Sequence, residues 1–112
     1  MVDVKVLKEG DISILDVIGE VDASSSIELD NALRETLDGG ALKIIVDLTN
    51  LEYISSAGLG VFMSYVEDIN EKNAQMILTG LNEKVKNVFE ILGLDQLLET
   101  AETRSEGVEK LK

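Results

Sequence analysis

The side chains best placed for chemistry are two adjacent serines, Ser55 and Ser56, which stand between a hydrophobic segment and a helical pattern. A serine hydroxyl at a helix start accepts a hydrogen bond from an unpaired backbone N–H group and stabilises the helix by about 1 kcal/mol. The same helix end favours added negative charge, so a phosphate on Ser56 need not unfold the chain. It would add a charge of about −2 to the surface. The two serines are therefore interpreted as capping residues, as phosphate acceptors, or as both.

Two glycines, Gly58 and Gly60, follow the serines within the first predicted helical turn. Glycine in a helix costs up to about 1 kcal/mol relative to alanine, so close approach of this turn to another group is expected. That group is either a neighbouring strand or the backbone of a binding partner. The segment lacks the Lys-Ser/Thr pair of a phosphate-binding P-loop, and Gly-Leu-Gly alone is too weak to indicate a dinucleotide site.

The helix after the serines has two sides of different character. Its apolar stripe, which is predicted to face the core, consists of Leu59, Phe62, Met63, Val66 and Ile69. Helical spacing then places Gly58, Val61 and Tyr65 on another side. Small and apolar groups beside the serines predict a patch that binds a protein partner.

Acidic residues offer a second kind of chemistry. Glu20 and Asp22 flank a turn after the second predicted strand, and Asp47 ends the third. If those strand ends are adjacent, the carboxylates would lie near Ser56 and could bind Mg²⁺; the alternative is a capping or solvated role. The sequence contains no His and no Cys, which excludes Cys/His zinc sites and a Ser-His-Asp triad. No nucleophile is paired with a base, so neither enzymatic activity nor a cofactor is expected.

Length and charge narrow the class of protein. The 112 residues predict a single domain over 1–112, and the net charge of −12 argues against nucleic acid or an anionic membrane as a partner. No apolar run approaches the ~20 residues of a membrane span. The N-terminus lacks the basic and apolar segments of a signal peptide. A cytoplasmic protein is therefore expected.

Hydrophobic periodicity predicts the elements that position these residues. Strands are predicted at residues 2–6, 12–18, 42–48 and 74–79, the first two joined as an antiparallel hairpin through the turn at 9–11. Helices are predicted from the serines at 24–26 to Gly39-Gly40, from Ser56 to about residue 70, and at 82–92, where the buried stripe consists of Val85, Val88, Phe89 and Leu92. Residues 49–56 are expected to form a loop, residues 94–98 a short strand or turn, and the polar tail at 102–112 a loosely packed helix or a flexible end. The alternation of strands and helices predicts a small α/β domain with a mixed, mostly parallel sheet.

This organisation resembles the STAS family, named for sulfate transporters and anti-sigma-factor antagonists. The resemblance covers nearly the whole chain and rests on VDLTNLEYISSAGLGVF at 46–62 and GEVD at 19–22. These segments are similar to the family's strand–loop–helix signature, with its Asp-Ser-Ser/Thr-Gly-Leu-Gly run, and to its Gly-Glu-Leu-Asp turn. Aligned on Gly58-Leu59-Gly60, the family's phosphorylated serine falls on Ser56, its preceding Asp on Ser55 and its following Ser or Thr on Ala57.

The resemblance implies a bacterial partner switch without catalysis or a cofactor of its own. In such a switch the unphosphorylated protein binds an anti-sigma factor, itself a serine kinase, and so releases a sigma factor that drives transcription. The kinase then phosphorylates Ser56, with Ser55 as a competing acceptor, and a serine phosphatase of the PP2C type resets the protein. The expected partner-binding residues are Asp22, Ser24, Ser55, Ser56, Ala57, Gly58, Gly60, Val61 and Tyr65.

Two other interpretations remain open at this point. A STAS protein without the switch could serve as an interaction subunit of a transport or stress-signalling complex. A nucleotide-binding module is the third, although no basic residue lies between Lys43 and Lys72 to hold a triphosphate. A monomer is expected under each of these interpretations.

Overall fold

The computed structural model describes residues 2–112; Met1, included in the predicted domain, lies outside the described residues. The strands are β1 (Val2–Glu9), β2 (Ile12–Val21), β3 (Lys43–Asp47), β4 (Leu51–Ile54), β5 (Gln75–Thr79) and β6 (Glu99–Ala101). The helices are α1 (Ser26–Asp38), α2 (Ser56–Glu71), α3 (Glu83–Ile91) and α4 (Arg104–Leu111), and Leu94–Gln96 form a 3-10 turn.

The six strands form one mixed sheet in the order β1-β2-β3-β5-β6, and β4 pairs with the end of β2. The β1–β2 pair is antiparallel, and the other pairs are parallel. The predicted α/β class, the mixed sheet and the N-terminal hairpin are therefore confirmed.

Alternating side chains give the sheet two apolar faces. Helices α1, α2 and α3 pack on the first face, where Leu33, Phe62 and Phe89 are fully buried against β2, β3 and β5. Helix α4 packs on the second face, where Val108 and Leu111 meet Ile45 and Ile77. Both faces of the central strands are thus covered, as their near-continuous apolar sequence requires.

The C-terminal tail is an ordered part of the core. Gly107 lies so close to the sheet that an added Cβ would stand 2.9 Å from Cγ2 of Thr79. Arg104 adds a charged contact, since its Nε and Nη2 lie 2.9 and 2.8 Å from Oδ2 of the buried Asp47. The helix predicted within 102–112 is present as α4, but it is neither loosely packed nor flexible, because the apolar side chains on the second face of the sheet require a cover, which Val108 and Leu111 supply.

Residues 49–56 are not a single loop, because Leu51–Ile54 form β4. This strand is short, and it contains one extra residue, because Gly19 and Glu20 of β2 pair with Leu51 and Tyr53 and leave Glu52 without a partner in β2. As a result both ends of β4 are buried while its middle is exposed, so the period-two alternation that marks a strand is missing.

Candidate functional site

The turn between β2 and α1 is organised by one carboxylate. Oδ1 of Asp22 accepts hydrogen bonds from the backbone N–H groups of Ser24 and Ser25, at 3.0 and 2.9 Å. The hydroxyls of the same two serines donate to it at 2.8 and 2.9 Å. These bonds lower the pKa of Asp22 from 3.8 to about 2, the Ser24 hydroxyl contributing most. Asp22 therefore stays ionised at any physiological pH.

The start of α2 lies beside that turn. The backbone N–H of Ser55 donates to the carbonyl of Val21 at 2.8 Å, which ties the first residue after β4 to the last residue of β2. Because Asp22 follows Val21 directly, the two loops are neighbours at one edge of the sheet. This is the edge at the carboxyl ends of the parallel strands, where open α/β sheets place their binding sites.

Ser55 is the N-cap of α2. Its backbone is extended, with φ −85° and ψ 171°, and its hydroxyl accepts a hydrogen bond from the N–H of Gly58 at 3.3 Å. The side chain is half-buried. The capping interpretation is thus correct for Ser55.

Ser56 is the first residue of α2 and is exposed, as is Ala57. Its hydroxyl makes no hydrogen bond to another described residue. The first turn of α2 contains no acidic residue, whereas the first turns of α1, α3 and α4 each contain one: Glu28, Glu83 and Glu106. The positive end of the α2 dipole therefore has no acidic side chain from its own first turn next to the Ser56 hydroxyl.

The two glycines of the first turn have different surroundings. Gly58 is buried, and an added Cβ would lie 2.7 Å from side-chain atoms of both Val21 and Ile54. Its close approach is to neighbouring strands of the same chain. Gly60 is exposed, and apart from its chain neighbours and the backbone of its own helix no described atom lies within 4 Å of the position of an added Cβ. Packing inside the chain explains why position 58 is a glycine, but it does not explain the glycine at position 60.

The predicted site residues divide into an edge group and a buried group. The edge group has side chains open at the sheet edge or on α2, and it comprises Asp22, Ser24, Ser55, Ser56, Ala57, Gly60 and the half-buried Val61. Gly58 and Tyr65 are buried, so the prediction that they lie on a side away from the core is wrong. Tyr65 turns inward because its hydroxyl donates to the side chain and the backbone carbonyl of Asp30 on α1. Met63, predicted to be in the core, is 38% exposed instead.

Asp47 does not join this edge group. Its side chain faces α4. The hydroxyls of Thr49 and Thr79 donate to Oδ1 of Asp47 at 2.6 and 3.3 Å. Burial raises the pKa of Asp47, but the hydrogen bonds from Thr49 and Arg104 outweigh that effect and the pKa is lowered. Within residues 2–112 no cluster of three acidic side chains could hold a metal ion, so the arrangement predicted for Glu20, Asp22 and Asp47 does not form.

One exposed surface was missed by the sequence analysis. Val88 and Leu92, predicted to lie in the buried stripe of α3, are 36% and 55% exposed, and Ile91 is 81% exposed. Only Val85 and Phe89 are buried. The spacing gave no signal for Val88 and Leu92, because positions 85, 88, 89 and 92 follow the i, i+3, i+4, i+7 pattern of one stripe, and only Ile91 falls outside it. Over the described range, no helix has the length and apolar character to cross a membrane.

Comparisons with known proteins agree with this geometry. The family model of the STAS domain matches residues 3–107. The anti-sigma-B factor antagonist of Listeria monocytogenes is 29% identical over 102 residues, which cover 89% of this chain and 90% of the relative. That of Staphylococcus aureus is 31% identical over 84 residues, covering 75% and 78%.

A solved structure shows the same architecture. The crystal structure of a candidate anti-sigma factor antagonist from Thermotoga maritima superimposes with a TM-score of 0.89 at 27% identity, over 96% of this chain and 92% of the other. The match spans nearly all of the elements that bring the loops of Asp22 and Ser56 to one edge of the sheet in this chain. The chain belongs to the STAS domain family.

Proposed function

We propose that the chain is an anti-sigma factor antagonist of the cytoplasm that binds an anti-sigma serine kinase and is switched off when that kinase phosphorylates Ser56. The observation that carries the proposal is the exposed, unbonded hydroxyl of Ser56 at the N-terminus of α2, whose first turn has no acidic residue. The names of the Listeria and Staphylococcus relatives support the antagonist role.

The surroundings of the two serines favour Ser56 over Ser55 as the acceptor. The hydroxyl of Ser55 is held by the N–H of Gly58, and the residue is half-buried against β2. A kinase would have to break the helix cap to reach it. The hydroxyl of Ser56 is free to enter an active site without any change in the fold.

A phosphate on Ser56 acts on the complex rather than on the fold. Its negative charge lies at the positive end of α2, where no acidic side chain of the first turn repels it. The domain therefore keeps its structure. A partner that packs against Ser56 would then have to remove water from a dianion or hold its own negative charges close to it. Either effect weakens binding.

The edge group supplies the surface that meets the partner. Ala57 and Gly60 have no bulky side chains, so a partner backbone can approach α2 closely. Asp22 is ionised and fixed by four hydrogen bonds, which makes it a defined acceptor for a basic or N–H group of the partner. A phosphatase of the PP2C type would restore the binding form.

Phosphorylation in vitro tests the proposal. The protein is incubated with ATP and the anti-sigma kinase from the same genome, and the modified residue is mapped by mass spectrometry. We expect modification at Ser56 that is absent from Ser56→Ala and retained in Ser55→Ala. Modification at Ser55 would support the phosphorylation switch but show that Ser55 is its acceptor. Tight binding to such a kinase without any modification would identify a constitutive interaction subunit instead.

A further inference from the structure

The outer edge of β1 is the feature of the sheet that the proposed function does not use. β1 ends the strand order, and β2 is its only partner strand among residues 2–112. The edge is eight residues long, and it carries the exposed apolar side chains Val6 and Leu7, at 53% and 44%. A long edge with apolar side chains is a template for pairing with another strand.

The sequence of β1 is complementary to itself in one register. In a symmetric antiparallel pair, facing residues lie on the same side of the sheet. When Val4 faces Val4 of a second copy, Val2 faces Val6 and Asp3 faces Lys5. The pairing joins valines on the face that carries α1, α2 and α3 and opposite charges on the other face. Neither Asp3 nor Lys5 forms an ion pair within the described chain.

The neighbouring registers are less favourable. Centring the pair on Lys5 brings two lysines together, and centring it on Val6 places Asp3 opposite Glu9. Centring it on Leu7 pairs Lys5 with Glu9 but sets the apolar Val6 against Lys8. Opposite charges and β-branched pairs stabilise facing positions, whereas like charges destabilise them.

We infer that β1 is a homodimerisation edge, at which two copies of the chain join their sheets antiparallel around Val4. A pairing of this length buries less than the roughly 1,200 Å² of a standard interface, so the dimer is weak, with a Kd of about 0.1–1 mM. The net charge of −12 on each copy opposes association, and salt near 0.15 M screens that repulsion beyond about 8 Å. β2 lies between β1 and β4, so Ser55 and Ser56 stay accessible in the dimer.

Sedimentation equilibrium over about 10 μM to 1 mM tests the inference. For the wild-type protein, the weight-average mass should rise toward that of two chains. Asp3→Lys, which sets a lysine against Lys5 of the second copy, should weaken association at least fivefold. Glu9→Lys, a matched change on the same strand outside the pairing, should not weaken it. Loss of association in Glu9→Lys but not in Asp3→Lys would overturn the register in favour of the one centred on Leu7.

A mixture of two variants gives the sharpest result. Asp3→Lys and Lys5→Asp should each associate more weakly than wild type when alone, yet associate with each other when mixed, because both Asp3–Lys5 facing positions then have opposite charges. Lys5 faces Asp16 within the chain, so circular dichroism must first show that Lys5→Asp is folded. If it is not, amide hydrogen exchange of the wild-type protein decides: the outward N–H groups of β1 should gain protection as concentration rises. A mass of one chain throughout, or protection confined to another element, would refute the dimer.

Discussion

Ser55 and Ser56 have different surroundings although they are adjacent and chemically identical. One hydroxyl is part of the helix cap, and the other is exposed to solvent. The sequence could predict that a serine caps α2, because Ser precedes a helical pattern. It could not predict which one, because that depends on the hydrogen bond from Ser55 N–H to Val21, a contact made only after β4 pairs with β2.

Alanine substitutions at the two serines should have different effects on the free energy of unfolding. Ser55→Ala removes the acceptor of the Gly58 N–H and should lower the free energy of unfolding by about 1 kcal/mol. Ser56→Ala should change it by less than about 0.5 kcal/mol. Urea unfolding followed by circular dichroism measures both. An equal loss in the two variants would contradict the assignment of the cap.

Gly58 and Gly60 should respond in opposite directions to the same substitution. Gly58→Ala places a methyl group 2.7 Å from Val21 and Ile54, so the strands must shift at a cost of about 1–3 kcal/mol. Gly60→Ala meets no atom from elsewhere in the fold within 4 Å and should gain up to about 1 kcal/mol through helix propensity. Thermal unfolding of both variants tests this pair. A gain for Gly58→Ala would show that the contact with β2 and β4 is looser than described.

The lowered pKa of Asp22 predicts a dependence of stability on pH. A carboxyl whose pKa is lower in the folded state contributes stability above its unfolded pKa and loses that contribution as pH falls through its folded pKa. The window for Asp22 is therefore between about pH 3.8 and about pH 2. Asp22→Asn keeps an acceptor oxygen but does not titrate. The stability advantage of wild type over this variant should shrink through that window, as urea unfolding at a series of pH values would show; a constant difference would contradict the prediction.

At the scale of elements, α4 holds the second face of the sheet by charged contacts as well as by packing. Arg104 is the partner of the buried Asp47 and also lies 3.7 Å from Asp16. Arg104→Ala leaves the carboxylate of Asp47 with only hydroxyl and backbone donors. Since Arg104 is itself about one-third exposed, we expect a loss of about 1–2 kcal/mol rather than the larger cost of breaking a fully buried pair.

Lys110 on the same helix is the matched control for Arg104. Its ion pair with Glu99, at 3.5 Å, is exposed on both sides, and pairs of that kind contribute about 0–1 kcal/mol. Lys110→Ala should therefore lower the free energy of unfolding by less than Arg104→Ala does. Equal losses in urea unfolding would mean that Arg104 acts through helix propensity or surface charge.

The sequence predicted the elements with a clear period and missed those whose period is broken by tertiary contacts. The bounds of α1 and the apolar run of β3 were predicted correctly, because each element has a regular pattern of buried side chains. In α2 the stripe was rotated, since Tyr65 is drawn inward by Asp30 and Met63 is left outside. β4 lost its alternation to the extra residue Glu52 opposite the Gly19–Glu20 step of β2. Neither effect is local, so neither can be read from spacing alone.

For the whole molecule, net charge raises the question of how one phosphate could act as a switch. The chain already carries −12, and a phosphate adds about −2. Charges farther apart than about 8 Å are screened at physiological ionic strength. One phosphate therefore changes the overall electrostatic field only slightly. The switch proposed for Ser56 must depend on where the added charge lies.

Two variants that make the chain more negative at different places test that conclusion, and the distant variant makes the larger change. Ser56→Glu adds negative charge at the start of α2, within the edge group. Lys112→Glu changes the net charge by two units, as a phosphate does, but at the end of α4, on the other face of the sheet. Its present ion pair with Glu109 is exposed, so little stability is lost. Calorimetric titration with the anti-sigma kinase should show at least a tenfold loss of affinity for Ser56→Glu and less than a twofold loss for Lys112→Glu. Similar losses for both would mean that long-range repulsion weakens the complex, and the position of Ser56 at the edge of the sheet would then matter only for access by the kinase.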